Sequence, residues 1–425
     1  MTEAIKAIRG MNDLLPEQTP IWQKLEQVLR ATAAAHGYAE IRLPLVEEAR
    51  LYARAIGAVT DIVEKEMYTF ADRSGDLLAL RPEGTAGCVR AAIEHNLLRH
   101  QQPRFYYQGP MFRYERPQKG RYRQFHQFGL ESFGTPGPYV DAELMLLSAC
   151  VWDQLGLTSQ VQLELNSLGH PESRAAYRTA LVAYLQQHEA DLDEDSQRRL
   201  RENPLRILDS KIESTQVILQ RAPVLLDFLD AAARHELNEI ERILEHAGVS
   251  YRINHRLVRG LDYYNSTVFE WVTTTLGTQG TVCAGGRYDR LVEQLGGDSV
   301  PAVGMAFGME RLVLMLQQQQ GETAPVEADL ILLGQGEFFA QQAMVLAHRL
   351  RHLIPDLRVL VHLQGGSFKS QFRRADRSGA ELAVLLGEEE LQSGSVTLKW
   401  LRTQAEQVTL PQETLPQWLH EHWTK

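Results

Sequence analysis

The stretch Pro110 to Glu131, PMFRYERPQKGRYRQFHQFGLE, concentrates the residues best equipped for chemistry. Arg113 stands near the end of one expected strand, and Arg116, Lys119, Arg121 and Arg123 crowd the loop that follows. A guanidinium offers planar, paired donors that match phosphate oxygens. An aromatic ring beside it can stack on a nucleobase. In the returning strand, side chains alternate between faces, so Phe125, Gln127, Gly129 and Glu131 share one face. A ring, an amide, a gap and a carboxylate make a poor core surface and suit the floor of a polar ligand site. A basic hairpin alone would read as a solvated tip; the polar face argues against that.

Four shorter segments add to it. Ala79 to Thr85, ALRPEGT, reads as the end of a strand begun at Leu77, with Arg81, Glu83 and Thr85 on one face. Glu83 can accept from an ammonium group, and Thr85 can donate or accept. In Arg259 to Tyr264, RGLDYY, Gly260 allows a tight backbone path. There Arg259 can meet developing negative charge, and two tyrosines offer hydroxyls. The glycines of Ala284 to Asp289, AGGRYD, permit close approach of a ligand. Phe307 to Arg311, FGMER, puts Arg311 in the first turn of a helix. Each segment alone is more often a turn than a site; their weight lies in occurring together.

Hydrophobic periodicity supplies the elements that must position these residues. Ile21 to His36 carries Ile21, Leu25, Val28, Leu29 and Ala35 near one helical face, with Thr32 interrupting. Gly37 ends it, and a short strand, Ala39 to Leu43, closes at Pro44. Strands are expected over Arg104 to Tyr114, Gln124 to Glu131 and Val268 to Thr274, a helix over Ala142 to Trp152, and a strand, turn and helix over Gly304 to Leu316. Pro171 to Gly248 is rich in helix formers and reads as a helical insertion. Gln317 to Pro325 reads as a linker. After it, strands and helices alternate, as in a small α/β domain: Asp329 to Leu333, Ala340 to Leu350, Val359 to His362, Phe368 to Asp376 and Leu382 to Leu386.

A chain of 425 residues is long enough for two or three domains. Its 44% hydrophobic and 23% charged content is ordinary for a soluble globular protein. No apolar run approaches a membrane span, and Met1 to Gly10 lacks the apolar core of a secretory signal. Cys88, Cys150 and Cys283 are widely separated, with neither metal nor disulfide spacing, which suits a reducing compartment. The net charge of −10 argues against nonspecific coating of nucleic acid but permits local basic surfaces.

Together these motifs resemble the class II aminoacyl-tRNA synthetases. Pro110 to Phe125 is similar to their motif 2: Arg113 two residues before Glu115, a variable loop, then Arg121 to Phe125. Gly304 to Arg311 is similar to motif 3, and Ile21 to Pro44 to the looser motif 1. RGLDYY and AGGRYD resemble the two signatures peculiar to histidyl-tRNA synthetases, of bacterial type. Gly365 to Glu389 is similar to the anticodon-binding domain shared by several class II enzymes.

The resemblance implies an α+β fold. An antiparallel sheet flanked by helices would occupy residues 1–325 with the insertion at about 171–248, and an α/β anticodon-binding domain residues 326–425. It implies a cytoplasmic homodimer, with motif 1 at the dimer interface, that joins L-histidine to tRNA(His) using ATP as substrate with Mg²⁺ and no tightly bound cofactor or resident metal. Arg113 would bind the α-phosphate, with Glu115 in the same ATP site. Arg121 and Arg311 would hold the outer phosphates and adenine, with Phe125 stacking on the ring. Arg259 would stabilise charge on the α-phosphate during attack. Glu83, Thr85 and Gln127 would take the amino-acid end, and Glu131 and Tyr264 the imidazole, with Tyr263 and Gly285 nearby. Arg116, Gln118 and Arg123 would lie near the tRNA acceptor end. Lys369, Arg373, Arg374 and Arg377 form a second basic cluster suited to anticodon phosphates. One rival is a histidine-sensing paralogue, the regulatory subunit of ATP phosphoribosyltransferase, which lacks the C-terminal domain and loses signature residues. The prolyl, threonyl and glycyl synthetases lack RGLDYY and AGGRYD.

Overall fold

The computed structural model describes residues 4–57, 60–277, 280–320 and 326–423. Contacts divide the chain into two units, Met1–Leu14 with Ile21–Gly321 and Leu15–Pro20 with Glu322–Lys425.

The larger unit begins with α1 (Thr19–Ala35), β1 (Ala39–Glu40), β2 (Val46–Glu48), α2 (Ala49–Ile56), β3 (Thr69–Ala71), β4 (Leu77–Leu80) and α3 (Thr85–Glu94). The hairpin β5 (Arg104–Phe112) and β6 (Gln124–Phe133) follows, then α4 (Tyr139–Leu155) and β7 (Gln162–Ser167). The helical stretch supplies α5 (Pro171–Gln186), α6 (Glu194–Glu202), α7 (Glu213–Leu219) and α8 (Ala231–His246). The unit closes with β8 (Tyr251–Ile253), β9 (Thr267–Val272), β10 (Thr281–Arg287), α9 (Leu291–Gln294), β11 (Ala302–Gly308) and α10 (Met309–Gln320).

Eight strands form one sheet in the order β1-β5-β6-β11-β10-β9-β7-β8. Its inner pairings are antiparallel, and only the edge pairs β1–β5 and β7–β8 are parallel. The expected sheet flanked by helices is therefore present, as a mixed sheet. Alternation sorts its faces. Phe128, Leu130, Phe269, Met305 and Phe307 enter a core with α1, α4, α8 and α10. Tyr107, Phe133 and Val268 enter the opposite core, with α2, α3 and the Tyr263–Tyr264 pair.

Several expectations change. The strand predicted from Leu77 to Thr85 stops at Leu80, since Pro82 has no N–H for a ladder and Thr85 opens α3. The parity argument for Arg81, Glu83 and Thr85 therefore fails. Arg81 is buried and donates to the carbonyls of Pro110 and Leu43 at 2.8 and 3.1 Å, a structural tie between chain segments. The strand predicted from Ala39 to Leu43 shortens to Ala39–Glu40. Leu25 and Leu29 of α1 are fully buried in their own unit's core, while Ile21 and Val28 are partly buried and Ala35 is exposed. The helical stretch is not one body: α5, α6 and α7 share a core around Tyr177 and Leu181, whereas Leu237, Ile240 and Leu244 of α8 join the main core. Gln317–Gln320 belongs to α10; the rest of the expected linker, Gly321 to Pro325, lies outside the described residues.

The smaller unit contains β12 (Leu330–Gly334), α11 (Phe339–Leu353), β13 (Val359–Val361), α12 (Phe368–Arg377), β14 (Leu382–Leu386), α13 (Glu388–Ser393), β15 (Ser395–Trp400), β16 (Val408–Pro411) and α14 (Leu415–His422). Its sheet runs β13-β12-β14-β15-β16, parallel across the first three strands and antiparallel beyond. The expected alternation ends at β14; β15, β16 and α14 are additions to it.

Candidate active site

A cavity of about 1020 Å³ opens over the face of the sheet that carries Phe125 and Gln127. Strands β6, β9, β10 and β11 form its floor, and the segment Asn254 to Tyr264 and the helical insertion, at Leu208 to Gln216, form its wall. Gln127, Glu270, Ala284 and Ala306 line it, while Phe128, Phe269 and Phe307 serve the core behind.

Among the described residues five arginines line it, Arg113, Arg121, Arg256, Arg259 and Arg311, of which Arg256 donates to the Gln216 Oε1 atom at 2.7 Å. Arg113 donates through Nε to the Pro82 carbonyl at 2.9 Å, and its guanidinium lies 5.3 Å from the centre of the Phe125 ring. Burial holds its pKa below the usual arginine value, yet it remains a cation. Arg311, in the first turn of α10, donates to the carbonyls of Gly120 and Thr281. Burial, then the nearby charges of Arg121 and Arg113, push its pKa down to about 10. Arg121 forms an ion pair with Glu115. Arg259 meets Glu270 at 3.2 Å, and its buried Nε has no partner. Of these guanidinium groups, Arg121 and Arg259 are paired with Glu115 and Glu270. The mutual repulsion of the guanidinium groups in a partly dry cavity is relieved by an anion.

The acceptor groups lie beside them. Glu83 is buried and accepts from the N–H groups of Thr85 and Ala86 at 2.6 and 2.9 Å, filling the open start of α3. Burial raises its pKa. The Gln127 Oε1 atom is buried without a partner. Tyr263 and Tyr264 line the cavity with ring centres 4.7 Å apart. Phe125, Thr85 and Glu115 also line it.

Glu131 sits deeper than expected and is absent from the cavity lining. Its Oε1 accepts from Thr85 at 2.7 Å and Tyr107 at 3.0 Å, and its Oε2 from Tyr288. Burial raises its pKa to about 8 against the pull of those three hydroxyls. The glycines around it make room for the protein itself. A Cβ on Gly84 or Gly129 would strike the Tyr107 ring, one on Gly304 the Glu131 carboxylate, and one on Gly286 the Tyr264 ring. The expectation that the AGGRYD glycines admit a ligand therefore changes: Gly285 meets Gly304, Met305 and Phe269, and Gly286 meets Tyr264 and Thr267. Arg287 of that segment is locked to buried Asp141 at 2.5 and 3.1 Å and to Asp289 at 2.8 Å. AGGRYD is a brace that aims Tyr288 at Glu131.

On the loop after β5, Arg116 and Gln118 are exposed. Arg123 donates to the Glu115 carbonyl at 3.2 Å and stacks over Tyr114 at 3.9 Å. Sequence reasoning missed Tyr107, Tyr288 and Glu270. Tyr288 stood inside a motif already singled out, and Glu270 lay in an expected strand whose parity with Val268 would have aimed it at the site. Tyr107 carried no signal, because it meets Glu131 only through strand pairing. In the smaller unit Lys369, Arg373 and Arg377 are exposed, while Arg374 is paired with Glu327 at 2.7 Å.

Among the described residues no group of three His, Cys, Asp or Glu side chains converges as a metal site would require. No helix there is long and apolar enough to cross a membrane.

A profile of the histidyl-tRNA synthetase family matches residues 10–312, and an anticodon-binding-domain profile matches residues 327–422. Apo histidyl-tRNA synthetase of S. aureus is 33% identical, with 98% of this chain and 99% of that one covered and a TM-score of 0.81. Histidyl-tRNA synthetase from Nostoc sp. shares the fold at 19% identity, covering 99% and 100% of the two chains with a TM-score of 0.71. A Bacillus halodurans protein described as an ATP phosphoribosyltransferase regulatory subunit/histidyl-tRNA synthetase shares it at 22% identity, covering 91% and 99% with a TM-score of 0.67. With the family profile covering most of the larger unit and a synthetase matched end to end, this chain belongs to the histidyl-tRNA synthetase family.

Proposed function

We propose that the chain activates L-histidine with ATP and transfers it to the 3′ end of tRNA(His), working as a cytoplasmic homodimer. The observation that carries this reading is one cavity holding both a set of partly buried guanidinium groups and, beside it, the unpartnered amide oxygen of Gln127 with the buried carboxylate of Glu83. The first half suits a polyphosphate; the second suits an amino acid's ammonium group.

In the first step a carboxylate oxygen of histidine attacks the α-phosphorus and pyrophosphate leaves. That nucleophile is already ionised, so the work is alignment and neutralisation of phosphate charge. Arg113 and Arg259 take the α-phosphate; Arg121, held by Glu115, and Arg311 take the outer phosphates and adenine, with Phe125 beneath the base. Glu83, Thr85 and Gln127 hold the ammonium group. Tyr264 reads the imidazole, with Tyr263 beside it and Glu131 setting the hydroxyl network behind. In the second step a terminal ribose hydroxyl of the tRNA attacks the acyl carbon and AMP leaves, with Arg116, Gln118 and Arg123 near the incoming strand. Mg²⁺ belongs with ATP as substrate. Among the described residues no cluster of three His, Cys, Asp or Glu side chains builds a cage for it. The dimer needs apolar surface, which the half-buried part of the α1 stripe and exposed Val46 and Phe70 on the three-stranded sheet β2-β4-β3 offer to a second copy.

The test is ATP–pyrophosphate exchange with each of the twenty amino acids in turn. Exchange with histidine alone supports the proposal. A folded protein that binds histidine without any exchange would instead support a histidine-sensing regulatory subunit, a reading favoured by the Bacillus halodurans neighbour.

A further inference from the structure

The loop that carries Arg259 is held from two sides: Leu257, Tyr263 and Tyr264 are buried in the core of the catalytic body, and the helical insertion supplies polar ties. Arg206, in the tight turn Pro204–Asp209, donates to the Gly260 carbonyl at 2.6 Å and lies 3.3 Å from Oδ1 of Asp262. Asn203 donates to that same oxygen at 3.1 Å. Farther along, Arg174 of α5 donates to the carbonyls of Tyr264 and Asn265 at 3.3 and 2.9 Å. These loop carbonyls must find donors outside a strand ladder, and the insertion provides them. Val258, next to Arg259, packs against both the site-side core and the insertion's own core. The turn bearing Arg206 is itself anchored by Ile207 and Leu208, buried in the insertion core. From the catalytic body the loop gains a bond from the Asp262 N–H to the Ile56 carbonyl at 3.1 Å and the Arg259–Glu270 pair.

We propose that Arg206 is a positioning residue for adenylate formation. Through the Gly260 carbonyl and Asp262 it fixes the backbone beside Arg259, so the reaction depends on how the insertion is seated. This rests on reading the cavity as an adenylation site. Misplacement of a reacting group by about 1 Å costs on the order of 10² in rate, and among the described residues Arg206 is the side chain that holds the Gly260 carbonyl beside Arg259.

The experiment is a double-mutant cycle on the full-length protein, read by single-turnover adenylate formation at high enzyme concentration. Arg206→Ala is expected to lower the rate by roughly 10- to 100-fold with little change in KM for ATP, since Arg113, Arg121 and Arg311 lie off this loop. Arg206→Lys, which keeps a charged donor, is expected to recover part of the loss. In an Arg259→Ala background Arg206→Ala is expected to add almost nothing, because coupled residues are non-additive. Hydrogen exchange is expected to quicken across residues 259–265. If Arg206→Ala does not fold, Arg206→Lys carries the same cycle. A wild-type rate in Arg206→Ala, or a full additional loss on top of Arg259→Ala, overturns the inference while the proposed function stands. A wild-type protein without exchange overturns the function instead. The hydrogen-exchange comparison then decides the loop: no change at 259–265 overturns the inference there too.

Discussion

Arg259 illustrates how much one side chain can carry here. It is a loop-borne cation of the cavity, and its buried Nε lacks a partner. Arg259→Ala is expected to cut pyrophosphate exchange by on the order of 10²–10³, the usual cost of losing one preorganised donor, with an unchanged circular dichroism spectrum. Glu131 makes a different prediction. Its pKa is raised in the folded protein to about 8, with burial as the leading cause, against an ordinary value near 4.5. Between those values the folded state holds the proton more tightly than the unfolded chain. Stability is therefore fully present below the lower value and falls as pH rises toward the upper one. Glu131→Gln removes that titration. Its urea midpoint is expected to fall less steeply between pH 5 and 8 than the wild type's, whatever its absolute level.

At the scale of elements, the sheet floor works because small residues lie where neighbouring strands present large ones. On β10 a Cβ at Gly286 would sit 2.6 Å from the Thr267 carbonyl oxygen and 2.8 Å from the Tyr264 ring. The backbone oxygen belongs to the paired strand β9 and cannot yield, so the ring must move. Gly286→Ala is expected to cost about 1–3 kcal/mol by overpacking and to raise KM for histidine more than KM for ATP. Urea unfolding and exchange kinetics check the two halves. The α3 start shows the converse. The residues expected to meet on a strand face meet around the first turn of a helix, because Pro82 ends the ladder and Glu83 satisfies the open N–H groups.

Across the whole molecule, the proposed function asks an acidic chain to hold an RNA. Local surfaces resolve that tension: the exposed loop with Arg116, and on α12 Lys369, Arg373 and Arg377. Arg374 is withdrawn from the basic cluster by Glu327. Replacing Lys369 and Arg373 together by Ala is expected to weaken tRNA binding and to lower the salt slope by about one per lost phosphate contact. Pyrophosphate exchange, which needs no tRNA, is expected to stay at the wild-type rate. Filter binding across a salt series checks this.

The local chemistry of this chain was legible in its sequence. Period-2 alternation placed Phe125, Gln127, Gly129 and Glu131 on one face, motif spacing gathered four arginines, and α1 and α12 were readable from helical periodicity. Those properties depend only on near neighbours along the chain. What joins distant segments was decided by tertiary packing alone. Strand pairing set Tyr107 beside Glu131 and put three glycines around them. The long-range pair Arg287–Asp141 turned a glycine-rich motif into a brace. Burial chose which carboxylates became weak acids. Leu25 and Leu29 of the α1 stripe went to the protomer's own core, and α8 left its neighbours for the main one, because an apolar face records that it must be covered without recording by what.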